Sequence, residues 1–179
     1  MKKSLWLWQL GGFIFTAVAG VILHFLFGWT NENALVAPFS AVNESIWEHM
    51  KLLFFPMLVF AFIESRYISK DYKNFWCAKL IGIVLGIVLI PVLYYVINGV
   101  FGPTPDWVNI AIFFVTVVIS YYAETRILRD NLVDCKSSSK ALAILVLIGV
   151  VFMVLTFLTP QIPLFEDPIT KTYGYWKSM

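Results

Sequence analysis

The chain has 179 residues, 60% of them hydrophobic and only 13% charged, and its mean hydropathy is +0.80. A soluble domain carries about 25% charged and about 45–50% apolar residues, so a water-soluble globular protein is excluded. The net charge of +2 is too small to recruit nucleic acid, and the length suits one compact transmembrane domain over 1–179.

Five apolar segments follow in order, at about 5–29, 43–66, 76–101, 107–126 and 140–160. Each is near the ~20 residues that cross a ~30 Å hydrocarbon core. The expected fold is all-α: a polytopic membrane helical bundle of five transmembrane helices. The first segment has a basic start and an Ala17-Val18-Ala19 that mimics a signal-peptide cleavage site. The apolar run continues through VILHFLFGW, so this segment is read as a retained span.

The second and third segments contain Pro56 and Pro91, which are expected to kink or pack rather than to end the helices. Gly82 and Gly86 offer a close-packing face on the third. The second and fourth end in matching triplets, Glu64-Ser65-Arg66 and Glu124-Thr125-Arg126. Two similar anchors at one membrane interface explain this echo more simply than a duplicated unit. The tail, 161–179, contains PLFEDPITKTYGY; its turn formers leave open a disordered end or a lid over the mouth between the first two helices.

Lys and Arg set the orientation. Lys2, Lys3, Arg66, Lys70, Lys73, Lys79, Arg126, Arg129, Lys136 and Lys140 share one side, and Lys51, Lys171 and Lys177 take the other. The N-terminus is therefore expected in the cytoplasm and the C-terminus outside. Cys77 and Cys135 then fall on the reducing side and are expected as thiols.

The stretch AVNESIWEHMKLLFFP, 41–56, breaks the apolar pattern. The second helix is uncharged only over 52–63, twelve residues or about 18 Å, which falls short of the hydrocarbon core. Charged groups must therefore enter the slab, each costing up to about 2.5–3.5 kcal/mol at its centre, and such groups face protein or a wet cavity. Asn43 is the expected N-cap, with Ser45 and Glu48 as an alternative capping box. With Asn43 as cap, Glu44, Glu48 and Lys51 share one helix face. His24 lies five residues inside Trp29, and His49 six residues inside Asn43, which sets the two histidines at similar depth.

Convergence of His24, Glu48 and His49 on one outward-facing cavity is expected, with Glu44, Trp47, Lys51 and Asp167 as further ligand-facing residues. His24, His49 and Glu48 have the donor types to hold a divalent transition metal. If Glu48 serves such a site, Glu48→Gln sheds a desolvation cost and is expected to be neutral or stabilising.

The segments AVNESIWEHMKLLFFPM, PLFEDPITKTYG and LHFLFGW together resemble an uncharacterised family of small multi-spanning bacterial membrane proteins, a domain of unknown function. The resemblance spans essentially the whole chain and centres on Asn-Glu-Ser-x-Trp-Glu-His, residues 43–49. The family often has glycine in the tail where this chain has Lys171. The resemblance implies a multi-pass protein of the bacterial plasma membrane and supplies no activity.

Three functions remain open on these residues. The first is an outward-facing polar pocket that binds or transports a small cation, amine or amphiphile; as a carrier, five helices call for a homo-oligomer. The second is a membrane-embedded enzyme, metal-dependent or using a Glu–His pair for acid–base work on a lipid-like substrate. The third is a structural or accessory subunit of the bilayer.

Overall fold

The computed structural model describes residues 2–175. Lys177, one of the charges used for orientation, lies outside them. Five helices account for most of the chain: α1 (Lys2–Trp29), α2 (Ile46–Ile68), α3 (Phe75–Phe101), α4 (Asp106–Asp130) and α5 (Ser138–Phe157). All five are long and apolar enough to cross a membrane, and no strand occurs among the described residues. Pro56 and Pro91 lie inside continuous helices.

α2 is the central helix, touching all four others, while α1, α3 and α4 close around it and α5 packs on α2 and α3. Its span is 72% buried, against 22% to 39% for the rest. This resolves the problem of its short uncharged run. Glu48, Lys51 and Glu64 face protein, where partners replace water. The core runs along α2 through Leu53, Phe54 and Met57, which meet Val117, Leu145 and Phe152 from the neighbouring helices.

α2 begins at Ile46, and its N-cap is Ser45, whose hydroxyl accepts from the Glu48 N–H at 3.4 Å. Asn43 instead folds into a local turn, its Oδ1 accepting from the Ser45 N–H at 3.0 Å. This corrects the Asn43 cap. Glu44 consequently stands in the loop and is free of the helix face that carries Glu48 and Lys51.

The tail folds back. Leu164 O accepts from the Trp47 N–H at 3.1 Å, Asp167 Oδ2 from the Glu44 N–H at 3.2 Å, and Gly174 O from Asn43 Nδ2 at 3.3 Å. An isolated antiparallel bridge joins Glu166 to Tyr173. Lys171 adopts φ +60°, a left-handed conformation that glycine takes without cost.

At the opposite, basic end, Cys77 and Cys135 form a disulfide with a Cα–Cα distance of 5.8 Å. This corrects the expectation of free thiols. A sequence separation of 58 hides a contact between the first turn of α3 and the α4–α5 connection. A compartment argument carries no information about such proximity.

Candidate functional site

Because Glu44 is a loop residue, its carboxylate reaches across the gap between α1 and α2. Its Oε2 lies 3.5 Å from His24 Nε2 and 3.6 Å from His49 Nε2. The two imidazole rings are 5.5 Å apart, centre to centre. One donor atom from each of the three residues lies within 4.8 Å of the others.

The protonation of His49 follows from its neighbours. Its Nδ1 lies 2.9 Å from the Ser45 carbonyl, which can only accept, so Nδ1 carries a proton. In the neutral ring Nε2 is then an unshared lone pair facing a carboxylate oxygen. Two acceptors facing each other require a cation between them, either a proton or a metal ion. The Ser45 bond also fixes the ring, as the outer hydrogen bond of a metal-bound histidine does. His24 Nδ1 is buried without a hydrogen-bond partner among the described residues.

The wall formed by Glu44 and His49 borders a cavity of about 180 Å³ between the start of α2, the end of α3 and the start of α4. Tyr94, Asn98, Asp106 and Asn109 supply further polar groups, and Ile112 and Phe113 add apolar surface. Pro168 and Ile169 of the tail also line it.

The hydrogen bond to His24, reinforced by the charges of His49 and His24, holds the Glu44 carboxyl below the usual carboxylate range against the opposing effect of burial. Burial raises Asp167, but the N–H groups of Thr170, Ile169 and Glu44 outweigh it and hold this carboxyl low. Asp167 is thus an ionised clasp between the tail and the loop before α2.

The other sequence candidates separate from the histidines. Glu48 is not the third partner of His24 and His49; Glu44 is. Glu48 pairs with Lys51 at 2.6 Å and accepts from the Val42 N–H at 3.0 Å. Lys51 also donates to Ala37 O and Thr156 Oγ1, each at 2.9 Å. Both side chains are sealed, at 1% and 0% exposure, and neither lines the cavity. Trp47 is packed between Phe152 and Phe165, each with ring centres 4.5 Å away, and belongs to the core. Asp167 holds the tail, while its neighbour Pro168 meets the cavity.

A family model described as a family of unknown function, DUF6512, matches residues 1–175. The chain belongs to DUF6512. No curated protein and no solved structure matches it. For this DUF6512 protein the chemistry must therefore be read from its own side chains.

Sequence reading missed a second polar cluster near the basic end. Lys79 of α3 lies 2.5 Å from Glu64 of α2 and 2.6 Å from Glu124 of α4, and Gln9 of α1 donates to Glu64 at 2.8 Å. All four residues are buried. The Glu64 and Glu124 triplets were the available signal. Their glutamates clasp one lysine in the interior, and the arginines of the two triplets, Arg66 and Arg126, face outward. This corrects their reading as paired interfacial anchors and removes Lys79 from the exposed basic charges.

Proposed function

We propose that this DUF6512 protein is an integral membrane protein with an outward-facing cation site, in which His24, Glu44 and His49 hold a divalent transition-metal ion. The observation that carries the reading is the His49 Nε2 lone pair set 3.6 Å from the Glu44 carboxylate, with Nδ1 already committed to Ser45. A tetrahedral ion with bonds of about 2.0–2.1 Å holds its ligand atoms about 3.4 Å apart. The two Glu–His separations, 3.5 and 3.6 Å, are close to that value. Two imidazoles and a carboxylate suit zinc or iron and leave a further coordination position open.

The size of the cavity selects among ligands. Its 180 Å³ is below the roughly 300–1,000 Å³ of pockets for drug-sized molecules. It suits a hydrated ion or a small amine better than a lipid chain. An open position beside a cavity also supports a second reading, metal-assisted chemistry on a small substrate, since catalytic zinc keeps such a position free. The placement we propose is the bacterial plasma membrane, N-terminus inside. Discounting the buried Lys79 and Lys51 still leaves a bias of nine basic residues against two.

The test is zinc binding by detergent-purified protein, read by calorimetry together with elemental analysis. Wild type should bind one equivalent, and His24→Ala, His49→Ala and Glu44→Gln should each lose it. Cobalt substitution should give the visible bands of a low-symmetry tetrahedral ion. Wild type that binds zinc no more tightly than His49→Ala would overturn the metal reading.

A further inference from the structure

The cluster of Glu64, Lys79 and Glu124 carries two carboxylates against one ammonium. The titratable groups facing it are Tyr121 of α4, whose hydroxyl is 2.9 Å from Thr16 Oγ1, and Tyr72 of the α2–α3 connection. Gln9 and Thr16 of α1 are neutral, and the rings of Phe75 and Tyr121 lie 5.5 Å from Lys79 Nζ. Fully ionised, the cluster holds one uncompensated negative charge in the bundle interior, at a heavy desolvation cost. One proton removes it.

Glu124 Oε1 is buried and has no hydrogen-bond partner among the described residues. On the same face of α4, Ser120 Oγ and Thr116 Oγ1 are also buried without partners, in side chains that are 0% exposed. Continuing along the helix, Ile112, Phe113 and Asn109 line the cavity, and Asn109 Oδ1 is again unpartnered. Four orphaned oxygens on one face of one helix, joining a buried charge cluster to a cavity, are not explained by packing, which places paired groups inside.

The spacing fits a hydrogen-bonded relay. Glu124, Ser120 and Thr116 are four residues apart, about 6 Å along the axis. One water accepting and donating bonds of about 2.8 Å spans each step. The facing helix comes close at two glycines, whose missing side chains give the relay groups their place. A Cβ at Gly86 would stand 2.6 Å from Ser120 Oγ, and one at Gly82 would overlap the Glu124 carboxylate.

We propose that the Glu64–Lys79–Glu124 cluster is a proton-binding site that exchanges its proton with the cavity along Ser120 and Thr116. A hydronium ion at the Ile112–Phe113 floor of the cavity gives a proton toward Thr116 and is left as water. The Thr116 and Ser120 hydroxyls and the waters bridging them each give one O–H and gain another, and the last water forms the O–H bond on Glu124 Oε1. The cluster passes from one net negative charge to neutrality, Lys79 remains an ammonium, and no electrons move. Ile112 and Phe113 form the apolar barrier at the mouth.

Infrared spectroscopy of protein reconstituted in lipid tests this. Wild type should show the carbonyl band of a protonated carboxylic acid, which shifts on transfer to D2O and disappears in Glu124→Gln. Thr116→Val combined with Ser120→Ala should keep the band and slow its isotope shift by about a hundredfold, the lower end of what a positioned proton-transfer group contributes. Gly86→Ala should slow it by pushing the Ser120 hydroxyl out of place. If Glu124→Gln does not fold, perturbation of the band in Glu64→Gln assigns it. Absence of the band from wild type at every pH at which the protein stays folded overturns the proton site. An isotope shift equally fast in the Thr116→Val, Ser120→Ala protein overturns the route.

Discussion

Glu48 and Lys51 form a 2.6 Å ion pair one helical turn into the chain's most buried helix, and neither reaches the cavity beside it. The pair reverses the sign expected for Glu48→Gln. Neutralising Glu48 leaves the Lys51 ammonium with only Ala37 O and Thr156 Oγ1 as partners. A buried charge stranded in this way costs about 3–5 kcal/mol. Glu48→Gln and Lys51→Met should each lower the melting temperature strongly, while the double variant should recover much of the loss. Additive losses in this cycle would show that the pair is not coupled.

The carboxylate of Glu44 is expected to titrate with a definite sign. Its folded-state pKa lies below the ordinary 4.5, so its stabilising contribution is fully present above that value and lost as pH falls through the lowered one. Melting temperatures of wild type and Glu44→Gln should differ at neutral pH and converge in acid. A difference that grows on acidification would contradict the pairing with His24.

Metal affinity should fall with pH over the imidazole range, because protons compete for the same nitrogens. Zinc titrations at successive pH values measure this directly. Glu44→Gln should weaken binding at every pH. A pH-independent affinity would place the ion on other donors.

Asp167→Asn should loosen the tail without unfolding the bundle. The amide that replaces one carboxylate oxygen presents a donor to N–H groups, either that of Glu44 or those of Ile169 and Thr170. An unsatisfied buried donor costs about 1–3 kcal/mol. Hydrogen exchange should accelerate at 43–45 and 167–173 and stay slow in the middle of α2. Uniform acceleration would make Asp167 a global support.

Orientation and the disulfide can be tested together. Reporter fusions after Lys73 and Ser137 should read cytoplasmic, and one after Met179 extracytoplasmic. With that orientation the Cys77–Cys135 bridge faces the reducing compartment, where disulfides are rare, so alkylation in intact cells before and after reduction should be read alongside the reporters. A bridge already closed in cells, together with inverted reporters, would turn the molecule over.

The fold was legible because composition and the length of apolar runs are set by the bilayer, independently of how helices pack. The shortage of uncharged residues in α2 correctly marked the helix whose charges meet protein. Which acid meets which base was not legible, because it turned on a two-residue shift of the cap. With Asn43 as cap, Glu44 falls on the Glu48 face; with Ser45 as cap, it swings to the histidines. The clasp on Lys79 was hidden for another reason. A lysine in the first turn of a span reads as an interfacial anchor unless the neighbouring helices are known to bring Glu64 and Glu124 to it.

The burial of charge in α2 also constrains how the protein is made. Glu48, Lys51 and Glu64 are synthesised before Lys79, and Thr156, a partner of Lys51, comes last of all. Insertion of a segment with charges at its centre is opposed by about 2.5–3.5 kcal/mol per residue. α2 is therefore expected to wait in or beside the translocation channel until α3 arrives, and to enter lipid only as part of a helical hairpin. Truncations that end between 70 and 74 should leave α2 accessible to a protease that the full-length chain resists.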